Sequence, residues 1–179
     1  MKILAFAASS SSTSINKAFV THAAAVLKDE LHTAAEIEII DLNDFEMPIY
    51  SADREKTSGI PELAQNFLDK ISAADAVLIS YAEHNNHCTA TFKNVFDWAS
   101  RKDSKVYQDK PMIIFSTSPG PGGGASVMNA AKTSAPFFGA DIKASLSVPK
   151  FHENFDLARG ELTDAELQTQ LRAALSTLI

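Results

Sequence analysis

The sequence predicts an α/β domain: an open, doubly wound sheet of five parallel strands with helices on both faces. Three observations predict it. Five short apolar or β-branched runs alternate with segments of helical periodicity, and such alternation builds parallel sheets with right-handed crossovers. The runs Lys2–Ala8 and Ala76–Tyr81 are almost continuously apolar, as expected of strands covered on both faces. Finally, 179 residues with 45% apolar and 21% charged side chains have the size and balance of one soluble domain with its own core.

Lys2–Ala8 (KILAFAA) opens the chain as the first strand. Its Lys2 and apolar stretch resemble the start of a signal peptide, but the stretch is too short for an h-region and runs into a capped helix. Ser9–Ser14 is a hydroxyl-rich loop. Asn16–Leu31 carries Phe19, Val20, Ala23, Ala24, Leu27 and Leu31 at helical spacing. Glu36–Leu42 (EIEIIDL) alternates and is the second strand. Asn43–Ser58 is polar, contains Pro48, and is expected to be a loop over the sheet's edge. Pro61 marks a helix start, and Leu63, Phe67, Leu68 and Ile71 form that helix's apolar face. Ala76–Tyr81 is the third strand. Thr89–Arg101 follows as a helix with Phe92, Val95, Phe96 and Ala99 on one side. Pro111–Thr117 (PMIIFST) is the fourth strand and Ser118–Gly124 the turn after it. Ala125–Phe138 is a helix, Asp141–Val148 the fifth strand, and Asp164–Leu178 a C-terminal helix. There is no internal repeat, second core or linker, so one domain is expected over 1–179.

Composition excludes several functions. No apolar run approaches the roughly 18 residues of a membrane span. The single cysteine, Cys88, leaves no internal disulfide and no cysteine-built zinc or iron–sulfur site. A net charge of −6 opposes broad binding to nucleic acid. A cytoplasmic protein is expected.

In an open parallel sheet, ligands bind beyond the carboxyl ends of the strands near the switch in strand order. Three unusual loops leave strands one, three and four there, and in a sheet ordered 2-1-3-4-5 those strands are neighbours, so the loops converge. In the first, Ser9–Ser14 presents six consecutive hydroxyls at a helix N-terminus. Unpaired amides and the positive dipole end suit an anion at such a terminus, although a plain Ser/Thr cap needs only one of the six. The third loop contains Gly120-Pro121-Gly122-Gly123-Gly124-Ala125, which fits G-x-G-x-x-A but not in the first βα turn where a dinucleotide fingerprint belongs. Its glycines are read as allowing close approach to a flat ring, or as a flexible turn. The middle loop, Ala82–Thr89, holds His84, His87 and Cys88. These are metal-ligand types, but they are adjacent and lack a distant fourth partner, so no metal is assigned. Cys88 as a nucleophile needs an activating base. Polar groups of this loop can instead bond the edge of a heterocycle. Nothing matches the G-x-S-x-G of a serine hydrolase.

Three motifs occur in order. Ser9, Ser14 and Asn16 match G-S-x-R-x-x-S-x-N, with Ala8 for the Gly and Ser11 for the Arg. Glu83, Asn85, Lys93, Asn94, Asp97 and Trp98 match P-E-Y-N-x-S-x-P-G-x-L-K-N-x-x-D-W, with departures at Ala82, His84, His87, Thr89, Ala90 and Phe92. Ser118, Pro119, Gly120, Gly123 and Gly124 match S-P-G-x-x-G-G. Together they resemble the NAD(P)H-dependent FMN reductases, small quinone and azo-compound reductases of flavodoxin-like fold. The resemblance runs from Lys2 to about Phe138.

The resemblance implies an FMN cofactor, NADPH or NADH as co-substrate, and a quinone, free flavin or azo-type acceptor. It assigns the phosphate to the first loop, at Ser9, Ser11, Ser14, Ile15 and Asn16. It sets the flavin along Glu83, His84, Asn85 and Asn86, and the ring edge at Ser118, Pro119 and Gly120. No side chain is assigned as a catalyst, because the flavin carries the chemistry. A homodimer or homotetramer is implied, with Phe137 and Phe138 as candidates for apolar association. His84 stands where relatives carry Tyr and His87 where they carry Ser, so the two imidazoles are expected to form a titratable wall beside the flavin. Two other readings remain: a non-enzymatic flavodoxin-type electron carrier, and a flavin-free scaffold or sensor.

Overall fold

Apolar residues on alternate faces of the same strands organise the structure. The computed structural model describes residues 1–179. The central sheet contains β1 (Lys2–Ala8), β2 (Glu36–Ile39), β3 (Ala76–Tyr81), β6 (Lys110–Thr117) and β7 (Ala140–Val148), all parallel in the order β2-β1-β3-β6-β7. In terms of the five strands expected from sequence, this is the order 2-1-3-4-5. Two short antiparallel hairpins complete the strands: β4 (Glu83–His84) with β5 (His87–Cys88), and β8 (Phe155–Asp156) with β9 (Glu161–Leu162).

One face of the sheet, with Leu4, Phe6, Val77, Ile79, Met112 and Ile114, packs against α3 (Glu62–Ala73), α4 (Ala90–Lys102) and α5 (Ala125–Ser134). The opposite face, with Ile3, Ala5, Leu78, Ile113 and Phe115, packs against α1 (Ile15–Val26) and α7 (Ala165–Leu175). Both faces are buried at the inner strands β1, β3 and β6, which is why those sequences are nearly continuous apolar runs, whereas the edge strands β2 and β7 are more exposed. Each buried Phe, Ile or Leu contributes about 1.5–3 kcal/mol, and Phe6, Phe19, Phe67 and Phe115 are fully enclosed.

The segment expected as a loop over 43–58 contains a helix, α2 (Ala52–Ser58). Ser51 caps it by accepting from the Arg54 amide at 3.2 Å, and Gly59 ends it at φ 75°. None of its residues is buried, so it has no apolar face for periodicity to reveal. The edge strand β2 ends at Ile39, three residues short of the expected Leu42. A one-turn helix, α6 (Phe151–Asn154), follows β7.

The K-N-x-x-D-W motif on α4 holds the Met47–Tyr50 segment. Trp98 Nε1 donates to the Pro48 carbonyl at 2.7 Å. Asn94 Nδ2 donates to the Met47 carbonyl at 2.9 Å, and its Oδ1 accepts from the Tyr50 amide at 2.8 Å. The Tyr50 ring meets Trp98 edge-on, with centroids 5.0 Å apart. Asp97 pairs with Lys93 on the exposed side of the helix at 2.6 Å. The motif is therefore a mechanical joint between α4 and the chain ahead of α2.

Replacing Asn94 by Ala should lower stability by about 2 kcal/mol, because it strips partly buried main-chain groups of their partners. Lys93→Ala should change it by no more than about 0.5 kcal/mol. Urea midpoints of the two variants measure the difference, and equal shifts would contradict the joint.

Candidate functional site

β1, β3 and β6 are adjacent, and the pairs Ala8↔Tyr81 and Tyr81↔Ser116 align their carboxyl ends. The loops leaving those ends are bonded to one another. Ser10 Oγ lies 2.9 Å from Thr91 Oγ1, and Thr89 Oγ1 donates to the Ala8 carbonyl at 3.0 Å, joining the first loop to the start of α4. Glu83 Oε2 accepts from the Val127 amide in the first turn of α5 at 2.9 Å, joining the second loop to the third. The Lys150 amide donates to the Gly120 carbonyl at 2.8 Å and the Phe151 amide to the Ser118 carbonyl at 3.0 Å. One crevice results at the switch point of the strand order.

In the first loop, Ser14 caps α1: its Oγ accepts from the Lys17 amide at 3.2 Å. Ser9 is buried, and its Oγ accepts from the Ser11 amide at 3.2 Å. Ser10 to Thr13 are exposed. The amides of Ser12, Thr13, Ile15 and Asn16 donate to no protein acceptor. Four free N–H groups at the positive end of a 12-residue helix, bordered by hydroxyls, form an anion cradle. This donor set fits the phosphate of an FMN.

Asn16 itself is used differently from the sequence expectation. Its side chain is 2% exposed. Oδ1 accepts from Ser80 Oγ at 2.7 Å and from the Thr117 amide at 3.2 Å, and Nδ2 donates to the Thr117 carbonyl at 3.4 Å. That side chain ties α1 to β3 and β6, so only the Asn16 main-chain amide, which has no protein acceptor, is left for a ligand. The Glu83 carboxylate is likewise committed to α5, which makes it a positioning group for the hairpin.

The middle loop is the β4–β5 hairpin, turned by Asn85 at φ 52° and Asn86 at φ 64°. Two successive positive φ values define a type I′ turn, which Asn tolerates well. His84 pairs with His87 across the hairpin, so both exposed imidazoles stand on one face. His87 Nδ1 is 3.3 Å from Cys88 Sγ. Burial pushes the half-buried Cys88 thiol above its usual range, the opposite of activation as a nucleophile. No group of three or more His, Cys, Asp or Glu is arranged to hold a metal.

The glycines of the third loop divide by role. Gly123 (φ 59°) and Gly124 (φ 76°) allow close packing within the protein: a Cβ would lie 3.1 Å from Pro149 N and 2.9 Å from Ser116 Cβ, respectively. At these two positions the approach is therefore to protein, not to a flat ring. Gly120 faces open space, and the amides of Gly120 and Gly122 have no protein acceptor. With Ser118 and Pro119 beside them, they leave polar donors and room for a ring edge.

A separate hollow of about 250 Å³ lies between α4 and α5, with Tyr81, Cys88, Phe92, Phe96, Tyr107 and Phe138 among its lining residues. Tyr81 and Tyr107 are buried with their hydroxyls 3.1 Å apart, and burial raises both phenols well above their usual range. No residue of the first or third loop lines this hollow. Its walls come from elements far apart in the chain, so no local pattern in the sequence marks it.

Loops meeting beyond the strand carboxyl ends, on this sheet order, give the layout of an α/β protein of the doubly wound class. Residues 1–153 match the family of NADPH-dependent FMN reductases, and the chain belongs to that family. An NAD(P)H:quinone oxidoreductase of Solanum tuberosum is 31% identical over 175 residues, covering 92% of this chain and 84% of the relative. An NAD(P)H-dependent FMN reductase of Pseudomonas aeruginosa is 27% identical over 180 residues, covering 99% and 93%. Among solved structures, the flavoenzyme NAD(P)H:acceptor oxidoreductase FerB of Paracoccus denitrificans superposes with a TM-score of 0.77 at 23% identity, covering 99% of this chain and 96% of that one. The fold is thus flavodoxin-like.

Asn16→Ala should cost about 3 kcal/mol of stability through the buried partners it leaves unsatisfied. It should weaken FMN and riboflavin by the same factor, since it loosens the crevice without removing a phosphate contact. Chemical unfolding and paired flavin titrations test this. A loss confined to FMN would show that the Asn16 side chain holds phosphate after all.

Proposed function

We propose that this protein is an FMN-dependent oxidoreductase that takes reducing equivalents from NADPH or NADH and passes them to a small acceptor. Quinones head the acceptor class, with free flavins and azo compounds after them. The observation that carries the reading is the row of unspent amides at Ser12, Thr13, Ile15 and Asn16, in a loop bonded to the elements that carry the second and third loops.

The phosphate would rest on those amides. Ser11 and Ser14 can still donate their hydroxyl protons to it, and Ser9 shapes the loop by holding the Ser11 amide. The flavin would run past Glu83, His84, Asn85 and Asn86 to Ser118, Pro119 and Gly120. Bound FMN supplies the two-electron chemistry that no side chain here offers. The chain's part is placement and electrostatics. Glu83 fixes the hairpin to α5, while the free amides of Gly120 and Gly122 favour negative charge at the ring edge. The His84–His87 face adds polar groups at the acceptor side. No side chain acts as nucleophile or general acid–base catalyst.

The domain is taken to span 1–179 and to work in the cytoplasm; no helix is long and apolar enough to cross a membrane. It is proposed to act as a homodimer or homotetramer. Phe137 is 77% exposed beside Phe138 and Ala135, which line the α4–α5 hollow. A two-fold pair would offer both the projecting ring and the apolar hollow on each subunit.

FMN-loaded protein should bleach anaerobically on addition of NADPH or NADH and recover its colour when a benzoquinone is added. Stopped-flow absorbance reads both half-reactions. A protein that takes up FMN but is reduced by neither nucleotide would be an electron carrier, and one that takes up no FMN would be a scaffold.

A further inference from the structure

The phosphate loop of this chain carries no cation, because Ser11 stands at the position of the family's arginine. A phosphate monoester brings a charge of about −1.5 to −2 at neutral pH. Neutral amides and hydroxyls meet such a group, but they do not neutralise it. One cation stands beside the cradle. Lys17 is the third residue of α1, directly after the free amides of Ile15 and Asn16, and its own amide closes the Ser14 cap.

The Lys17 ammonium is held on the β2 side of the loop by an ion pair with Asp41. That carboxylate is fixed from its other side: Asp41 Oδ1 accepts from the Asn43 amide at 2.9 Å and from Asn43 Nδ2 at 2.8 Å. The same Asn43 Nδ2 donates to the Ser10 carbonyl at 3.2 Å, inside the phosphate loop. Ammonium, carboxylate, amide and loop carbonyl form one continuous chain along the cradle's flank. The other lysines near the site are engaged elsewhere, Lys93 with Asp97 and Lys150 with Glu153.

We infer that Lys17 supplies the positive charge for the ligand's phosphate in place of the missing arginine, and that Asp41 limits how much of that charge the ligand feels. The inference rests on the FMN reading above. An ammonium has three donors and Asp41 is its one partner here, so Lys17 can serve a phosphate without leaving the pair. The pair is partly exposed, 42% at the Lys17 side chain and 29% at Asp41, so water competes for it and the ammonium can turn toward a ligand. Lys17 is the larger influence holding the Asp41 carboxyl below its usual range, with the Asn43 amide second, so the carboxylate remains a negative charge beside the cradle at neutral pH. Without Lys17, the cradle would present the phosphate with a bare anion.

Flavin fluorescence titrations with FMN and riboflavin test this in the parent, Lys17→Met, Lys17→Arg and Asp41→Asn proteins. Lys17→Met should weaken FMN by about tenfold or more while moving riboflavin by less than about twofold, the mark of a lost charge-assisted contact. Lys17→Arg should keep the preference for FMN. Asp41→Asn should raise FMN affinity relative to riboflavin. Added salt should weaken FMN binding more steeply in the parent than in Lys17→Met. A parent that prefers FMN, beside a Lys17→Met variant with the same preference, overturns the inference and leaves the functional reading standing. An FMN preference that falls in Asp41→Asn overturns the role given to that carboxylate. A parent that binds neither flavin overturns the reading and the inference together.

Discussion

The carboxyl ends of β1, β3 and β6 can form a ligand site only if the three loops leaving them keep fixed relative positions, and the buried amide of Asn16 enforces this. One side chain accepts from Ser80 on β3, accepts from and donates to Thr117 on β6, and sits in the first turn of α1. Water cannot replace these partners at 2% exposure, so each bond is expensive to leave unmade. The α1 N-terminus is therefore locked over the centre of the sheet. Its first amides keep no protein acceptor, because Asn16 turns its side chain inward rather than back onto them.

A second set of bonds tunes the same frame. Thr89 ties the start of α4 to the end of β1, and Glu83 ties the hairpin to the first turn of α5. Glu83 also places a carboxylate at a helix N-terminus, where the dipole favours it. The polar residues of this crevice thus divide into those turned into the protein and those left facing outward. The outward set is largely main-chain donors, which need no side-chain ordering when an anion arrives.

Much of this was legible in the sequence. The parallel α/β architecture followed from apolar strands separated by helical periodicities, the strand order from the resemblance to flavodoxin-like reductases, and the loops were marked by composition: six hydroxyls, a polar turn and four glycines. What the sequence could not separate was direction. The resemblance assigned Asn16 and Glu83 as ligand contacts by position in its motifs, and their side chains turn back to bond Ser80, Thr117 and the Val127 amide. Gly123 and Gly124 read as room for a ring, yet their space is filled by Pro149 and Ser116. α2 was invisible because its seven residues bury nothing. Nothing in the sequence marks Lys17; only the fold brings Asp41, fixed by Asn43, more than twenty residues away, to its side.

The central claim is that one flavin spans the three loops with its phosphate on the α1 amides. Amide NMR shifts followed through parallel FMN and riboflavin titrations test it most directly. The account predicts that both ligands move the hairpin and the Ser118–Gly122 amides. FMN alone should strongly move Ser12, Thr13, Ile15 and Asn16, in the direction expected for hydrogen bonds to an anion. Shifts centred on the hollow between α4 and α5, or identical first-loop responses to the two ligands, would contradict it.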